Sequence, residues 1–280
     1  MLFRSDEATA AAWLPHIIDG GRILTLASRE PGRGREDRPG DTRLTRLDGG
    51  WRLDGRKVFV PFAQQADGLL VLAGDGDRLV VCLVPPDAPG VAITPEPNLG
   101  GEAYGTVAFD GVTLAAGQVL AGGADITEAW RATMFAALVP LAARAVGAAR
   151  HIHDISIAYA KERQAFGRPI GGFQAIAHDL AEAAVAVEGC RTLVHQAAWL
   201  HDQGRPFHAV AAMAKLQACS MFRRVSALGV QVHGGLGYTV EADPQLFFRR
   251  AKQWQVLDWD DARLEDEIAA LTLDGTHGDV

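Results

Sequence analysis

KERQAFGRPIGGFQ, residues Lys161 to Gln174, joins the end of one long Ala-rich helix to the start of the next. Arg163 offers a planar fork of donors suited to bidentate phosphate binding. Phe166 follows three residues later on the same side of the helix end, so that ring and guanidinium can share one ligand. Gly167 permits a tight exit and Pro169 stiffens the turn. Gln174 opens the next helix, where free N–H groups and the dipole favour anions. A plain interhelical corner would use the same turn residues, so this stretch alone leaves both readings open.

Working outward, long amphipathic segments run near 126–162, 170–203, 207–232 and 243–272, broken by GRPIGG, DQGRP and HGGLG. Their lengths predict an antiparallel four-helix bundle. Upstream, from about 21 to 118, β-favouring runs (RILTLAS, WRLDGRKVFVPF, GLLVLAG, RLVVCLVPP, GVAITPE, YGTVAFDGVTL) alternate with Gly, Pro and Asp. That texture predicts a small antiparallel barrel or sandwich. A short helix over roughly 5–20 precedes it, with Ser5 as N-cap. The fold class is therefore α+β, divided as 1–20, a β domain over 21–122 and a helical bundle over 123–273. The final DGTHGDV is expected to fray.

Composition narrows the function classes. The 280 residues are 48% hydrophobic and 22% charged, enough for a full core, and carry a net charge of −7. No basic, aromatic-interleaved patch is present, which argues against nucleic acid as a partner. Cys82, Cys190 and Cys219 are odd in number and far apart, which suits a reducing compartment better than a disulfide framework or a zinc site. Neither a signal-peptide pattern nor an uninterrupted apolar run of about 18 residues is found. The expected address is the cytoplasm, with no membrane partner and no metal.

A second chemical signal is LGVQVHGGLGYTVEADP, residues Leu228 to Pro244. Gly234, Gly235 and Gly237 let backbone approach a ligand closely, and successive N–H groups can form an anion nest. Gln231 precedes them. His233 beside the glycines reads as a hydrogen-bonding spacer more readily than as a base. His151 and His153 fall on different faces of one helix, which disfavours a shared metal. In the charged loop REPGRGREDRPGDTR, Arg29, Arg33, Arg35 and Arg38 either face a phosphate or, more simply, solvent.

RxxFGxPIxxFQ and QxxGGxGYT, about 65 residues apart and joined by two helices, resemble the C-terminal signatures of the acyl-CoA dehydrogenase family. REPGRG and GWRLDGRKVFV resemble its middle β-domain signatures in degraded form. The resemblance runs from about residue 10 to the end. It implies a helical N-terminal domain, a β-barrel domain and a four-helix bundle around FAD, which oxidises the Cα–Cβ bond of an acyl-CoA thioester. One carboxylate takes the α-proton while the β-hydrogen leaves as hydride, so base and flavin face opposite sides of one bond. By the same resemblance Arg163, Phe166, Gln174, Gln231, Gly234, Gly235 and Gly237 hold the ADP portion of FAD across a subunit interface. Electron-transfer flavoprotein is the expected acceptor.

Four departures accompany the resemblance. AAWLPHIIDGGRI resembles the link into the β domain, so most of the N-terminal domain is expected to be missing. The family's Thr-Glu-Pro-Gly-x-Gly-Ser reads Arg29-Glu30-Pro31-Gly32-Arg33-Gly34-Arg35, and its Trp-Ile-Thr-Asn reads Phe59-Val60-Pro61-Phe62, which removes hydroxyl contacts to the flavin ring. The catalytic Glu-Gly-Thr reads Asp258-Trp259-Asp260. Asp258 keeps a carboxylate with a reach shorter by about 1.5 Å, and Trp259 is expected to fill ligand space. The alternative base position on the first bundle helix is Ala137. These features imply a subunit that serves a longer acyl-CoA dehydrogenase in a heteromer, similar to paired enzymes some bacteria use on bulky acyl-CoAs. The alternatives are a homomer (dimer or tetramer) with Asp258 as base, and a scaffold without flavin.

Overall fold

The computed structural model describes residues 7–32, 35–120 and 124–273; Ser5, Arg33, Gly34 and the 274–280 tail lie outside the described residues. The chain divides into two compact units, residues 1–133 and 134–280.

In the first unit, helix α1 (Glu7–Ile18) precedes seven strands: β1 (Leu24–Ala27), β2 (Arg43–Leu47), β3 (Gly50–Pro61), β4 (Gly68–Asp75), β5 (Arg78–Val84), β6 (Val91–Pro95) and β7 (Tyr104–Leu114). The sequence reading omits β2, whose RLTRL alternation sits at the end of the charged loop. The sheet runs β1-β4-β2-β3-β7-β6, with β5 on the other side of β4. Pairing is antiparallel for β2–β3, β3–β7, β6–β7 and β4–β5, as the turns predict. The expectation of a purely antiparallel sheet is corrected at one place: β1 and β2 both meet β4 in parallel. The long excursion between β1 and β4 makes this possible, because parallel neighbours need a crossover connection.

Strand β3 carries the consequence for the site. Its ladder with β7 shifts register between Leu53 and Gly55, and again between Lys57 and Val60. The second shift coincides with Phe59 at φ 52°, and Phe62 follows at φ 50°. Such bulges re-aim side chains, and both rings point out of the core, exposed to solvent. The core beneath is made of Leu53, Val60, Leu69, Val71, Val107, Val112 and their neighbours.

Lys57 also faces inward. Its ammonium donates to the Glu30 carboxylate at 2.8 Å and to the Ser28 carbonyl at 3.1 Å, with the two side chains 3% and 5% exposed. The Glu30 carboxylate in turn accepts from the N–H groups of Asp41 (2.6 Å) and Thr42 (3.0 Å). The Glu of the REPG stretch is thus a clamp that folds the charged loop back onto β3.

The second unit holds α2 (Thr127–Glu162, which begins in the first unit), α3 (Gln174–Asp202), α4 (His208–His233), α5 (Pro244–Val256) and α6 (Asp261–Thr272). The predicted fourth helix over 243–272 is therefore two, because Asp258 and Trp259 take φ 53° and 70° and end the helical run. The bundle core gathers Ala142, Ala145, Ala149, Ile152, Val187, Ala214, Ala218, Phe222 and Trp254. By length and composition alone α2 is apolar enough to cross a bilayer; here its Ala142–Ile152 stripe is buried in the bundle.

Candidate functional site

Helix α2 closes with Arg163 N–H on the Tyr159 carbonyl, and the chain then makes a minimal hairpin. Gln164 pairs with Pro169 and Ala165 with Arg168, leaving Phe166-Gly167 as a two-residue turn. Both turn residues have positive φ, 52° and 79°. That is the demand of a type I′ turn, which glycine meets freely and phenylalanine only under strain. The expectation that Phe166 continues the helix beside Arg163 is corrected: the helix has ended, and the turn lifts Phe166 to 96% exposure. Arg163 and Gln174 are exposed as well, and no hydrogen bond or ion pair engages the Arg163 guanidinium among the described residues. Gln174 opens α3, as read from the sequence, and no side chain caps that N-terminus.

The glycine segment completes the same end of the bundle. A 3₁₀ turn, Gly234–Tyr238, follows α4. Gly234 and Gly235 are exposed with open space where a side chain would begin, and Gln231 is exposed beside them. Gly237 differs. It is buried, and a Cβ there would stand 2.7 Å from the Val230 carbonyl, so its requirement is close packing on α4. His233 is a spacer: Nδ1 donates to the Gly229 carbonyl at 2.8 Å and the ring stacks on Tyr159 at 4.4 Å. A small cluster joins the two motifs, with Ala160 and Val232 packed among Tyr159, Ile170 and Ile176. Segments 65 residues apart in sequence are thus one surface.

The histidine pair stays structural. His153 is buried on the Leu180 carbonyl at 2.8 Å, while His151 meets Phe247 on another face. No group of metal-ligating residues is found among the described residues.

Asp258 lies elsewhere on the bundle. It follows α5, half-buried between buried Leu257 and Trp259. Sequence reasoning missed what holds it. Lys215 of α4, 1% exposed, donates to the carbonyls of Gln255 (3.3 Å), Leu257 (2.9 Å) and Trp259 (2.7 Å). A signal was available: Ala211, Lys215, Ala218 and Phe222 fall on one helical stripe, so a lysine occupies a core position. Lys215 and His233 are 18 residues apart, about 27 Å along α4 at helical rise. The exposed corner and the Asp258 loop therefore occupy different ends of the helix.

Trp259, expected from the sequence to fill ligand space, turns inward. Its ring is buried edge-on against Phe135 (5.0 Å) under the Arg263 guanidinium (4.6 Å). Trp259→Gly should relieve the strain of φ 70° (about 1–2 kcal/mol) and lose a buried indole (about 3–5 kcal/mol). The expected net destabilisation is about 2 kcal/mol, read by urea unfolding; an unchanged midpoint would contradict the packing account. Ala137, half-buried on α2, supplies no carboxylate.

In the first unit, residues 59–62 present no side-chain hydroxyl. The Phe59 N–H is taken by the Glu96 carboxylate at 3.1 Å, and the Pro61 carbonyl accepts from the Thr25 hydroxyl at 2.5 Å. In the charged loop Arg29 pairs with Glu36 (3.4 Å) and Arg35 with Asp37 (2.8 Å). Those arginines are engaged by the loop's own carboxylates, which supports the solvated-loop reading over a phosphate site.

The family profile described as "Acyl-CoA dehydrogenase, C-terminal domain" matches residues 136–270. The chain is 33% identical over 267 residues to the probable acyl-CoA dehydrogenase YngJ of Bacillus subtilis, covering 91% of this chain and 70% of that protein. It is 36% identical over 238 residues to benzylmalonyl-CoA dehydrogenase of Aromatoleum aromaticum, covering 83% and 63% respectively. Among solved structures, butyryl-CoA dehydrogenase of Megasphaera elsdenii superposes with a TM-score of 0.91 at 25% identity, over 97% of this chain and 74% of that one. The chain thus spans about two thirds of the length of these sequence relatives.

Proposed function

This chain belongs to the acyl-CoA dehydrogenase family, and from that premise we propose that it is a subunit of a hetero-oligomeric, FAD-dependent acyl-CoA dehydrogenase. In this reading its bundle end grips the ADP portion of a FAD seated against a longer partner subunit. The observation that carries the proposal is the contrast between the two halves of the machinery. Arg163, Phe166, Gln174, Gln231, Gly234 and Gly235 stand outward at one end of the bundle. Residues 59–62 offer the flavin ring no hydroxyl, and the base position holds the shorter Asp258.

The residues at the bundle end fit a dinucleotide. Arg163 brings an unengaged guanidinium for a phosphate, the uncapped N-terminus of α3 favours an anion, and Phe166 presents a ring face to a base. Open space at Gly234 and Gly235 admits backbone contact. FAD supplies the two-electron acceptor for dehydrogenation of an acyl-CoA thioester, and electron-transfer flavoprotein is the expected oxidant of the reduced cofactor. This chain's task is to bind and orient, and the cytoplasm is its expected address.

A second reading is favoured by one specific observation. The loop at Asp258 keeps two non-glycine residues at positive φ, held by a buried lysine, and such strain clusters at working sites. In that reading the enzyme is a homomer and Asp258 is the base. Asp258→Asn then lowers turnover by at least about 100-fold, measured as dye reduction with butyryl-CoA. Unchanged turnover in the mixed assembly supports a base from the partner.

A further inference from the structure

We infer that Lys215 is the positioning residue for the carboxylate at 258, an inference that rests on the reading of Asp258 as a base. Its ammonium is a compact charge with three donors, and each meets a carbonyl of the 255–259 segment. The three acceptors alternate along the chain: Gln255, Leu257 and Trp259. Asp258 lies between the last two, so both peptide groups that flank it are tied to one buried point.

Such a tie has a physical task. Asp258 and Trp259 sit at φ 53° and 70° in succession, a left-handed pair that L-residues leave when nothing holds them. The C-terminal carbonyls of α5 also need partners once the helix stops, and from α4 Lys215 supplies one to Gln255 and one to the C-cap Leu257. The loop is fastened on its far side too. The Asp260 carboxylate accepts from the Arg263 N–H at 3.0 Å as the N-cap of α6, and Gln255 Nε2 donates to Asp261 at 2.5 Å. Buried Leu257 and Trp259 anchor the flanks, and Asp258 alone of the three is left half-exposed. One lysine therefore sets where a carboxylate already shortened by one bond is presented. Since a displacement near 1 Å can cost about 100-fold in rate, loss of the clamp acts on chemistry as well as on fold.

The test compares the full chain, held in excess FAD, with its Lys215→Met and Asp258→Asn variants, using butyryl-CoA as the probe. Amide hydrogen exchange reports the loop, and exchange of the probe's α-hydrogen in D₂O reports the base. Lys215→Met is expected to speed amide exchange over 256–260 at least tenfold while α3 keeps its protection. It should slow α-hydrogen exchange about 100-fold with KM within twofold of the parent. If Lys215→Met does not fold, Lys215→Gln takes its place, with donors for two carbonyls and a smaller expected loss. Unchanged amide protection over 256–260 overturns the clamp. Loosened amides with unchanged α-hydrogen exchange, while Asp258→Asn abolishes that exchange, overturn the positioning role. Full exchange by Asp258→Asn, or none by the parent, overturns the reading of Asp258 as base and with it the role assigned to Lys215; the amide data still judge the clamp separately.

Discussion

Lys57→Met should destabilise the β unit by about 3–5 kcal/mol, the largest single effect expected in this protein. The substitution keeps most of the side chain's volume and removes only the ammonium. What remains is a Glu30 carboxylate 5% exposed without its counter-charge, and the Asp41 and Thr42 N–H groups cannot replace it. The cost is that of stranding a buried charge. Replacing both partners, Glu30→Gln with Lys57→Met, should therefore cost less than Lys57→Met alone. Urea unfolding of the three proteins measures both statements, and equal losses in the single and double variants would contradict them.

The same pair fixes an acid dependence. Burial pushes the Glu30 carboxyl up, but the hydrogen bond and charge of Lys57 and the N–H groups of Asp41 and Thr42 outweigh it. They hold the pKa at about 2 against an ordinary 4.5. A folded value below the unfolded one stabilises the protein fully above about pH 4.5, and that contribution is lost as pH falls toward 2. Lys57→Met should flatten the stability profile across that window.

The second large effect concerns the cofactor. Arg163→Ala should weaken FAD binding by the assembly about 30-fold, the equivalent of about 2 kcal/mol for charge-assisted bonds to a phosphate. Phe166→Asn offers a sharper contrast. Asn-Gly is the preferred type I′ pair, so the turn at φ 52° and 79° should gain about 0.5–1 kcal/mol when the strained Phe is replaced. FAD affinity should fall all the same, because the ring proposed to pack on the base is gone. Stability and binding moving in opposite directions would mark Phe166 as retained for the ligand. Isothermal titration with FAD and thermal unfolding read the two quantities, and an unchanged Kd would remove Phe166 from the site.

Much of this was legible in the sequence, for reasons that differ by element. The helices announced themselves by amphipathic spacing, and the β runs by alternation between Gly and Pro. The break at 257–260 did not, because Leu257-Asp258-Trp259 carries no Gly or Pro and its left-handed conformation depends on Lys215, distant in sequence. The residues read from the sequence as one set lie together at one end of the bundle, with Gly237 buried beneath the others, yet the geometry of Phe166 was not legible: a two-residue hairpin hides behind a helix-like spacing. The buried lysines were the chief omissions. Lys57 and Lys215 each occupy an inward position of a strand or helix, where pattern reading expects an apolar residue and passes over a charge whose partners lie elsewhere in the chain.

The most direct measurement is the FAD content and activity of this chain purified alone and after co-expression with a longer acyl-CoA dehydrogenase subunit. The isolated chain is expected to release FAD on gel filtration and not to oxidise butyryl-CoA. The co-purified assembly should retain FAD and lose it when Arg163→Ala is introduced in this chain alone. Stoichiometric FAD and butyryl-CoA oxidation by the isolated chain would contradict the hetero-oligomeric role.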